Sequence, residues 1–320
     1  MNNDLHGSGV LVIDKPAGLT SHDVVGRVRR SLGIRRVGHA GTLDPMATGV
    51  LVLGYGRATR LLTYLLGVDK AYRATIRLGW SSDTDDADGT VVVSADSHAL
   101  ARIDDADVTQ AMATIAARPV QVPSAVSAIK IAGQRSYQRV RSGESVTLPA
   151  REVLIHVFSA RSIERGADAI DIEVDVECGS GTYVRALARD LGSMLGVGGH
   201  LTALRRTRVG PFTLAEAIDL MAYEQNPTPS QALSPAAAAA MILPAWVVPD
   251  HTAVALSHGQ QVTWPPGLAP RTTAVITDAG RLVSIIEPRE DRVRSLTVFA
   301  DPADVSGSDS GERIGSVAGE

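Results

Sequence analysis

The segment GHAGTLDPMATGVLVLGYGRATRL, which begins at Gly38, carries one carboxylate, Asp44, with five glycines and a proline, ahead of a dense apolar run. A carboxylate can serve as a nucleophile or a general base, and for either task it must be anionic. Ordinary glycoside hydrolysis uses a carboxylate pair, and no second acid stands in this segment. An Asp-Pro pair is also a turn signal, with Asp suited to the first turn position and Pro to the second. Pro45 disfavours the α region for Asp44 and so restricts how the side chain leaves the loop. If Asp44 is buried, a cation must lie close to keep it ionised. Other chemistries lack their residues. The eight histidines are scattered without zinc spacing, and no Walker loop, G-x-G-x-x-G after a strand, or G-x-S-x-G elbow occurs. Neither metal nor nucleotide cofactor is expected. The single cysteine, Cys178, sits in CGSG and reads as a small buried packing residue.

The elements that must carry Asp44 follow from pattern. GVLVIDK is strand-like; a Pro-Ala-Gly turn follows, and Thr20-Ser21 can cap a helix with Val24, Val25, Val28 and Leu32 on its apolar face. ATGVLVLGYG reads as a buried strand and ATRLLTYLLG as a short helix stopped by Gly67. KAYRATIRLGW, REVLIHVFSARSIER and AIDIEVDVECG alternate as strands. DDADVTQAMATIAA and TYVRALARDLGSMLG read as helices, and HLTALRRTRVGPFTL as a strand or bend. SSDTDDADGT between them reads as an acidic loop. Without a regular βαβ rhythm, the pattern gives an α+β fold with a mainly antiparallel sheet. Near residue 225 a Pro/Ala/Ser-rich stretch reads as a linker with some helix. Beyond it AVALSHGQQV, AVITDAGRLVSIIEP and VRSLTVFA read as short strands, the second a hairpin around Asp278-Ala279-Gly280.

At 320 residues and 44% hydrophobic content the chain has room for one large domain and a small one. No apolar run reaches the ~18 residues of a membrane span, and the first residues lack the pattern of a signal peptide. A cytoplasmic location is expected. The net charge of −4 hides an uneven distribution. Residues 1–67 carry a net +4, residues 68–112 a net −5 and the tail 287–320 a net −4. A basic lobe beside acidic segments suits a phosphate-bearing partner.

These stretches resemble the TruB family of bacterial tRNA pseudouridine-55 synthases. The Asp44 segment is similar to that family's catalytic motif. DKPAGLTSHDVV (14–25), KAYRATIRLG (70–79), QVPSAVSAIK (121–130) and CGSGTYVRALARDLG (178–192) follow in the family's order. Val126 departs from a position that is often aromatic. The resemblance implies a pseudouridine-synthase fold, with a mixed, mainly antiparallel sheet flanked by helices and a small C-terminal β-rich PUA-like barrel. It implies a catalytic domain over 1–225 with an RNA-clasping loop at 133–147. A linker over 226–243, a PUA-like RNA-binding domain over 244–302 and a disordered tail over 303–320 would follow.

The activity implied is isomerisation of the T-loop uridine of tRNA, position 55, to pseudouridine, with no cofactor. The N1–C1′ bond breaks, the base turns, and C5 bonds to C1′. By the same resemblance Asp44 is the essential carboxylate, Arg185 its cationic partner, and Tyr72 the tyrosine that stacks on the base. His39 would take the stacking space of the flipped nucleotide. Lys15, Thr42, Tyr183, Leu204 and Lys130 would shape the pocket, and Arg135, Arg139, Arg141, Arg205, Arg206 and Arg208 would track RNA phosphates. The partner implied is the T arm of tRNA, bound by a monomer without an obligate protein partner. A non-catalytic tRNA-binding or folding protein on the same scaffold is the alternative, and the intact Asp44, Tyr72 and Arg185 set speaks against it. A guide-RNA-dependent relative would need longer extensions.

Overall fold

The computed structural model describes residues 7–118, 120–124, 130–131, 134–135 and 148–300, with only the backbone of 130–131 and 134–135. Lys130 and Arg135 are therefore placed by backbone alone. Val126, Arg139, Arg141, most of the expected clasping loop and the tail from 301 lie outside the described residues. The chain divides into two compact units. One comprises Leu11–Leu53 and Leu62–Thr228; the other takes the start to Val10, Gly54–Leu61 and everything from Pro229.

In chain order the first strands are β1 (Gly9–Lys15), β2 (Val37–His39), β3 (Thr48–Tyr55) and β4 (Lys70–Leu78). Short strands follow: β5 (Trp80–Ser82), β6 (Val91–Val93), β7 (Val120–Gln121), β8 (Lys130–Ile131), β9 (Gln134–Arg135) and β10 (Arg151–Glu152). Next come β11 (Ile155–Arg165), β12 (Ile170–Cys178), β13 (Gly199–Val209), β14 (Phe212–Thr213) and β15 (Ile218–Asp219). The last four are β16 (Ala245–Val248), β17 (Thr273–Thr277), β18 (Leu282–Arg289) and β19 (Arg292–Val298).

The main sheet runs β11-β12-β4-β13-β3-β1-β15, with β14 beside β13 and β2 beside β3. Its long pairs, β11/β12, β12/β4 and β4/β13, are antiparallel, whereas β13/β3 and β1/β15 are parallel. The mixed, mainly antiparallel sheet expected from the sequence is present. Each inward row of β4 and β12 (Tyr72, Ala74, Ile76, Leu78; Ile170, Ile172, Val174, Val176) meets helices Asp105–Ala116 and Val184–Met194 in one core. Those helices supply Val108, Met112 and Ile115, and Val184, Leu187 and Leu191, at helical spacing.

Local signals fixed the helix ends. Thr20 and Asp23 form a reciprocal capping box on helix Ser21–Leu32, and Gly33 closes it at φ 66°. Asp104 and Asp107 do the same for Asp105–Ala116. HLTALRRTRV proves to lie in the long strand β13, the middle strand in the order of the main sheet, and GRATRLLTYL forms a 3₁₀ helix.

In the second unit, the sheet order is β16-β17-β18-β19, with a hairpin at Gly280 (φ 74°) where the DAG signal stood. Of the segment read as a strand, AVALSHGQQV, the first five residues close helix Asp250–Ser257 and the rest follows it without regular structure. Alternation in AVALS misled because Ala253 and Leu256, three apart, are the residues buried against Val275, Val283 and Ile286. Helix Pro235–Ile242, capped by Ser234, lies within the Ala-rich stretch.

Candidate active site

Asp44 opens a closed turn: the Ala47 N–H donates to the Asp44 carbonyl at 3.1 Å, with Pro45 at the second position. The turn is pinned from three directions. Buried Ser21, at the start of its helix, accepts from the Leu43 N–H at 2.8 Å and donates to the Leu43 carbonyl at 3.1 Å. The Gly18 N–H donates to the Pro45 carbonyl at 2.8 Å. Lys15, fully buried at the end of β1, donates to that carbonyl at 3.2 Å and to the carbonyls of Pro16 and Leu19 at 2.8 and 2.6 Å. Burial brings its ammonium down to about 8, against the opposing pull of Asp44.

The carboxylate itself meets Arg185, in the first turn of helix Val184–Met194. Nε donates to Oδ2 at 2.9 Å and Nη2 to Oδ1 at 3.2 Å, a two-pronged pair. The Arg185 side chain is 4% exposed and that of Asp44 32%, so the acid is held from inside and open on its other side. Arg185 Nη1 donates to the Thr84 carbonyl at 3.0 Å and lies 3.4 Å from Oδ2 of Asp86. Asp86 also accepts from Thr84 Oγ1 at 2.5 Å and from the Asp88 N–H at 3.1 Å. Burial raises its carboxyl above the ordinary range, opposed by Thr84 and Arg185.

One helical turn on, Arg189 Nη1 lies 3.2 Å from Asp85 Oδ2. Asp85 has φ 61°, a left-handed conformation uncommon outside glycine, and its carbonyl accepts from the Leu201 N–H at 3.0 Å. The stretch read as an acidic loop thus has its two central carboxylates buried against the helix that carries Arg185. The signal for this was in TYVRALARDLG: Arg185 and Arg189, four apart, share a face and need anions.

Tyr72 on β4 is buried, and burial pushes its phenol up to about 12, with Arg206 opposing. It shares a core cluster with Leu43, Ala47, Val184 and Leu204. Asp44, Arg185, Tyr72, Lys15 and Leu204 are therefore brought together. His39 ends β2, half-buried; burial lowers its pKa, so the imidazole is neutral at pH 7. Thr42 is exposed, and its carbonyl is taken by Arg206 at 3.2 Å. Tyr183 caps the Arg185 helix. Its N–H donates to Gln121 Oε1 at 2.8 Å, Gln121 Nε2 returns a bond to its carbonyl at 3.1 Å, and the Arg151 guanidinium stands 5.5 Å over its ring.

The arginines of β13 separate. Arg205 makes a two-pronged pair with Asp14 at 3.0 and 2.6 Å, and Arg208 pairs with Glu177 at 3.1 Å; both remain partly open to solvent. Arg206, expected to face phosphate with them, is fully buried with its nitrogens on backbone carbonyls. Strand parity explains this: Arg206 is two residues from Leu204, on the inward face.

Against this geometry, the model of the TruB family pseudouridylate synthase N-terminal domain matches residues 29–184. The tRNA pseudouridylate synthase B C-terminal domain matches 185–245, and the tRNA pseudouridine synthase II C-terminal model matches 243–300. The tRNA pseudouridine synthase B of Leifsonia xyli is 50% identical over 301 residues, covering 93% of this chain and 98% of that protein. The chain belongs to the TruB family. Its counterpart from Corynebacterium efficiens is 49% identical, covering 93% of this chain and 98% of that one. Among solved structures, a chain of a Cbf5–Nop10–Gar1 complex superposes at a TM-score of 0.68 with 25% identity, covering 93% of this chain and 86% of the other. A chain of an H/ACA ribonucleoprotein bound to a substrate RNA, at 24% identity, covering 92% of this chain and 86% of that chain, and with a TM-score of 0.67, shares the fold. In this TruB-family chain Asp44 in its turn is paired with Arg185, and Tyr72 lies in the core cluster that holds Leu43 and Ala47 on either side of that turn.

Proposed function

We propose that this TruB-family enzyme is a tRNA pseudouridine synthase that isomerises the T-loop uridine at position 55. The observation that carries the reading is the Asp44–Arg185 pair, open on the carboxylate side and closed on the guanidinium side. Whether the carboxylate attacks C1′ or removes the C2′ proton, it must be an anion, and Arg185 favours that form while fixing its plane. With Arg185 on one side, the lone pairs on the open side face the ribose. The N1–C1′ bond then breaks, the base turns, C5 bonds to C1′, the C5 proton leaves and N1 gains one. Tyr72, a neutral phenol, stacks on the base and takes part in that proton transfer at C5. Extruding a stacked uridine costs a few kcal/mol, and neutral His39 fills the vacated stack. Lys15, Thr42, Tyr183, Leu204 and Lys130 shape the pocket.

Phosphate contacts come from Arg205 and Arg208 together with Arg135, Arg139 and Arg141, and they make binding steeply salt-dependent. Residues 244–302 act as a PUA-like module on RNA backbone. The enzyme works as a cytoplasmic monomer; among the described residues no helix is long and apolar enough to cross a membrane.

The test is to incubate unmodified tRNA transcript with wild type or Asp44→Asn and map pseudouridine at every uridine. Wild type should modify one T-loop position. The variant should be slower by about 10⁴-fold or more while still binding tRNA. Failure of wild type to form pseudouridine, or equal product from the variant, ends the catalytic reading.

A further inference from the structure

Arg206 is the largest fully buried side chain among the described residues. On β13 its Cα neighbours are Tyr72 on β4 and Gly49 on β3. Its Nε donates to the Val50 carbonyl at 2.7 Å, Nη1 to Thr42 at 3.2 Å and Nη2 to Gly41 at 3.2 Å. Every one of these acceptors is backbone of the loop and strand that flank Asp44. Tyr72 is thus the ladder neighbour of Arg206 on β4, and the guanidinium is a cation that opposes the upward push of burial on its phenol. Gly49 makes the approach feasible: at φ 102°, a Cβ there would stand 2.1 Å from the Arg206 carbonyl oxygen. A buried guanidinium satisfied by neutral groups is a costly feature to retain for packing alone.

We propose that Arg206 is a positioning residue that locks the Asp44-bearing loop to the sheet beside Tyr72 through one rigid, planar group. It fixes the carbonyls two and three residues before Asp44 with two prongs, from a strand position directly beside Tyr72. The distance and angle between acid and phenol are thereby set by one side chain. Lysine, a point charge on a flexible stem, cannot reproduce the fork. The proposal rests on the catalytic reading of Tyr72.

The test uses full-length enzyme with a fluorinated tyrosine at position 72, titrated by ¹⁹F NMR, in wild type, Arg206→Lys and Arg206→Met. The groups that bear on this phenol are Arg206, Cys178 and Asp44. Loss of the guanidinium removes the cation that favours phenolate, so the midpoint moves up in Arg206→Met. Single-turnover rates at saturating enzyme should fall about 10- to 100-fold in Arg206→Met, with tRNA affinity little changed. Arg206→Lys should recover part of the titration shift but little of the rate. A loss of packing alone would lower stability without moving the Tyr72 midpoint. An unchanged midpoint in Arg206→Met, or a full rate in either variant, overturns the proposal. If the methionine variant does not fold, wild-type rate and midpoint in Arg206→Lys overturn it equally. An inactive wild type would strike the catalytic reading, whereas these variant outcomes strike only the role of Arg206.

Discussion

Two buried arginines serve the same turn in different ways. Arg185 faces anions: both oxygens of Asp44, and Asp86 behind it. Arg206 faces the carbonyls of Gly41, Thr42 and Val50 and pairs with no carboxylate among the described residues. The first arrangement fixes the plane of the carboxylate, because both of its oxygens accept from one guanidinium. The second sets where the acid stands, because it fixes backbone. Neither contact duplicates the other: one holds the carboxylate, the other the backbone that carries it.

The most severe way to break this division is Arg185→Met. It strips the cation from Asp44 and from Asp86, whose side chain is 6% exposed. Removing one partner of a buried ion pair costs about 3–5 kcal/mol, and Asp86 should bind a proton instead of staying charged. Activity should fall about 10³-fold or more. Denaturant unfolding and single-turnover kinetics check the two parts. A stable variant with only severalfold slower turnover would mean that Asp44 does not depend on Arg185 for its charge.

The two arginines also mark where sequence reading succeeds and stops. Asp44-Pro45 signals its turn directly, and that turn is closed by the Ala47 N–H on the Asp44 carbonyl. Thr20/Asp23 and Asp104/Asp107 are local signals, legible because capping involves residues three apart. Arg185 as a partner of Asp44 could be named through family resemblance, since the two stand 141 residues apart. Asp85 and Asp86 were hidden, because an acidic loop looks solvated until a helix from elsewhere is laid against it. Arg206 was read as one of three basic residues in RRTR, although strand parity with Leu204 already turned it inward. Alternation outranks charge when a strand is central. In the second unit the reverse happened: apparent alternation in AVALS gave way to a helix whose buried residues lie three apart.

A second test addresses the backbone side of the comparison without touching either arginine. Ser21→Ala removes the hydroxyl that accepts from the Leu43 N–H and donates to its carbonyl. Leaving these groups buried and unpaired costs about 1–3 kcal/mol. Because Leu43 precedes Asp44, turnover should fall severalfold, less than in Arg185→Met, with tRNA affinity retained. If stability falls as expected and turnover does not, the position of the turn is over-determined by its remaining anchors, Arg206 foremost.

Lys15 gives the smallest effect and separates charge from position within one residue. Its ammonium both donates to the Pro45 carbonyl and adds positive potential near Asp44. Its folded pKa, about 8, lies below the ordinary lysine value of 10.5, so between these limits the unfolded chain binds more protons. Stability contributed by this group therefore rises with pH across that window. Activity should move oppositely. A neutral amine has two hydrogens for three carbonyls, and the bond to Pro45, at 3.2 Å the longest, is the one most easily lost. Turnover should decline about 2- to 10-fold as pH passes about 8, and the decline should be missing from Lys15→Met. Paired pH profiles of rate and of unfolding free energy for the two proteins decide it. Rate and stability rising together through this window in wild type would remove Lys15 from the anchors of the turn and leave position to Ser21 and Arg206.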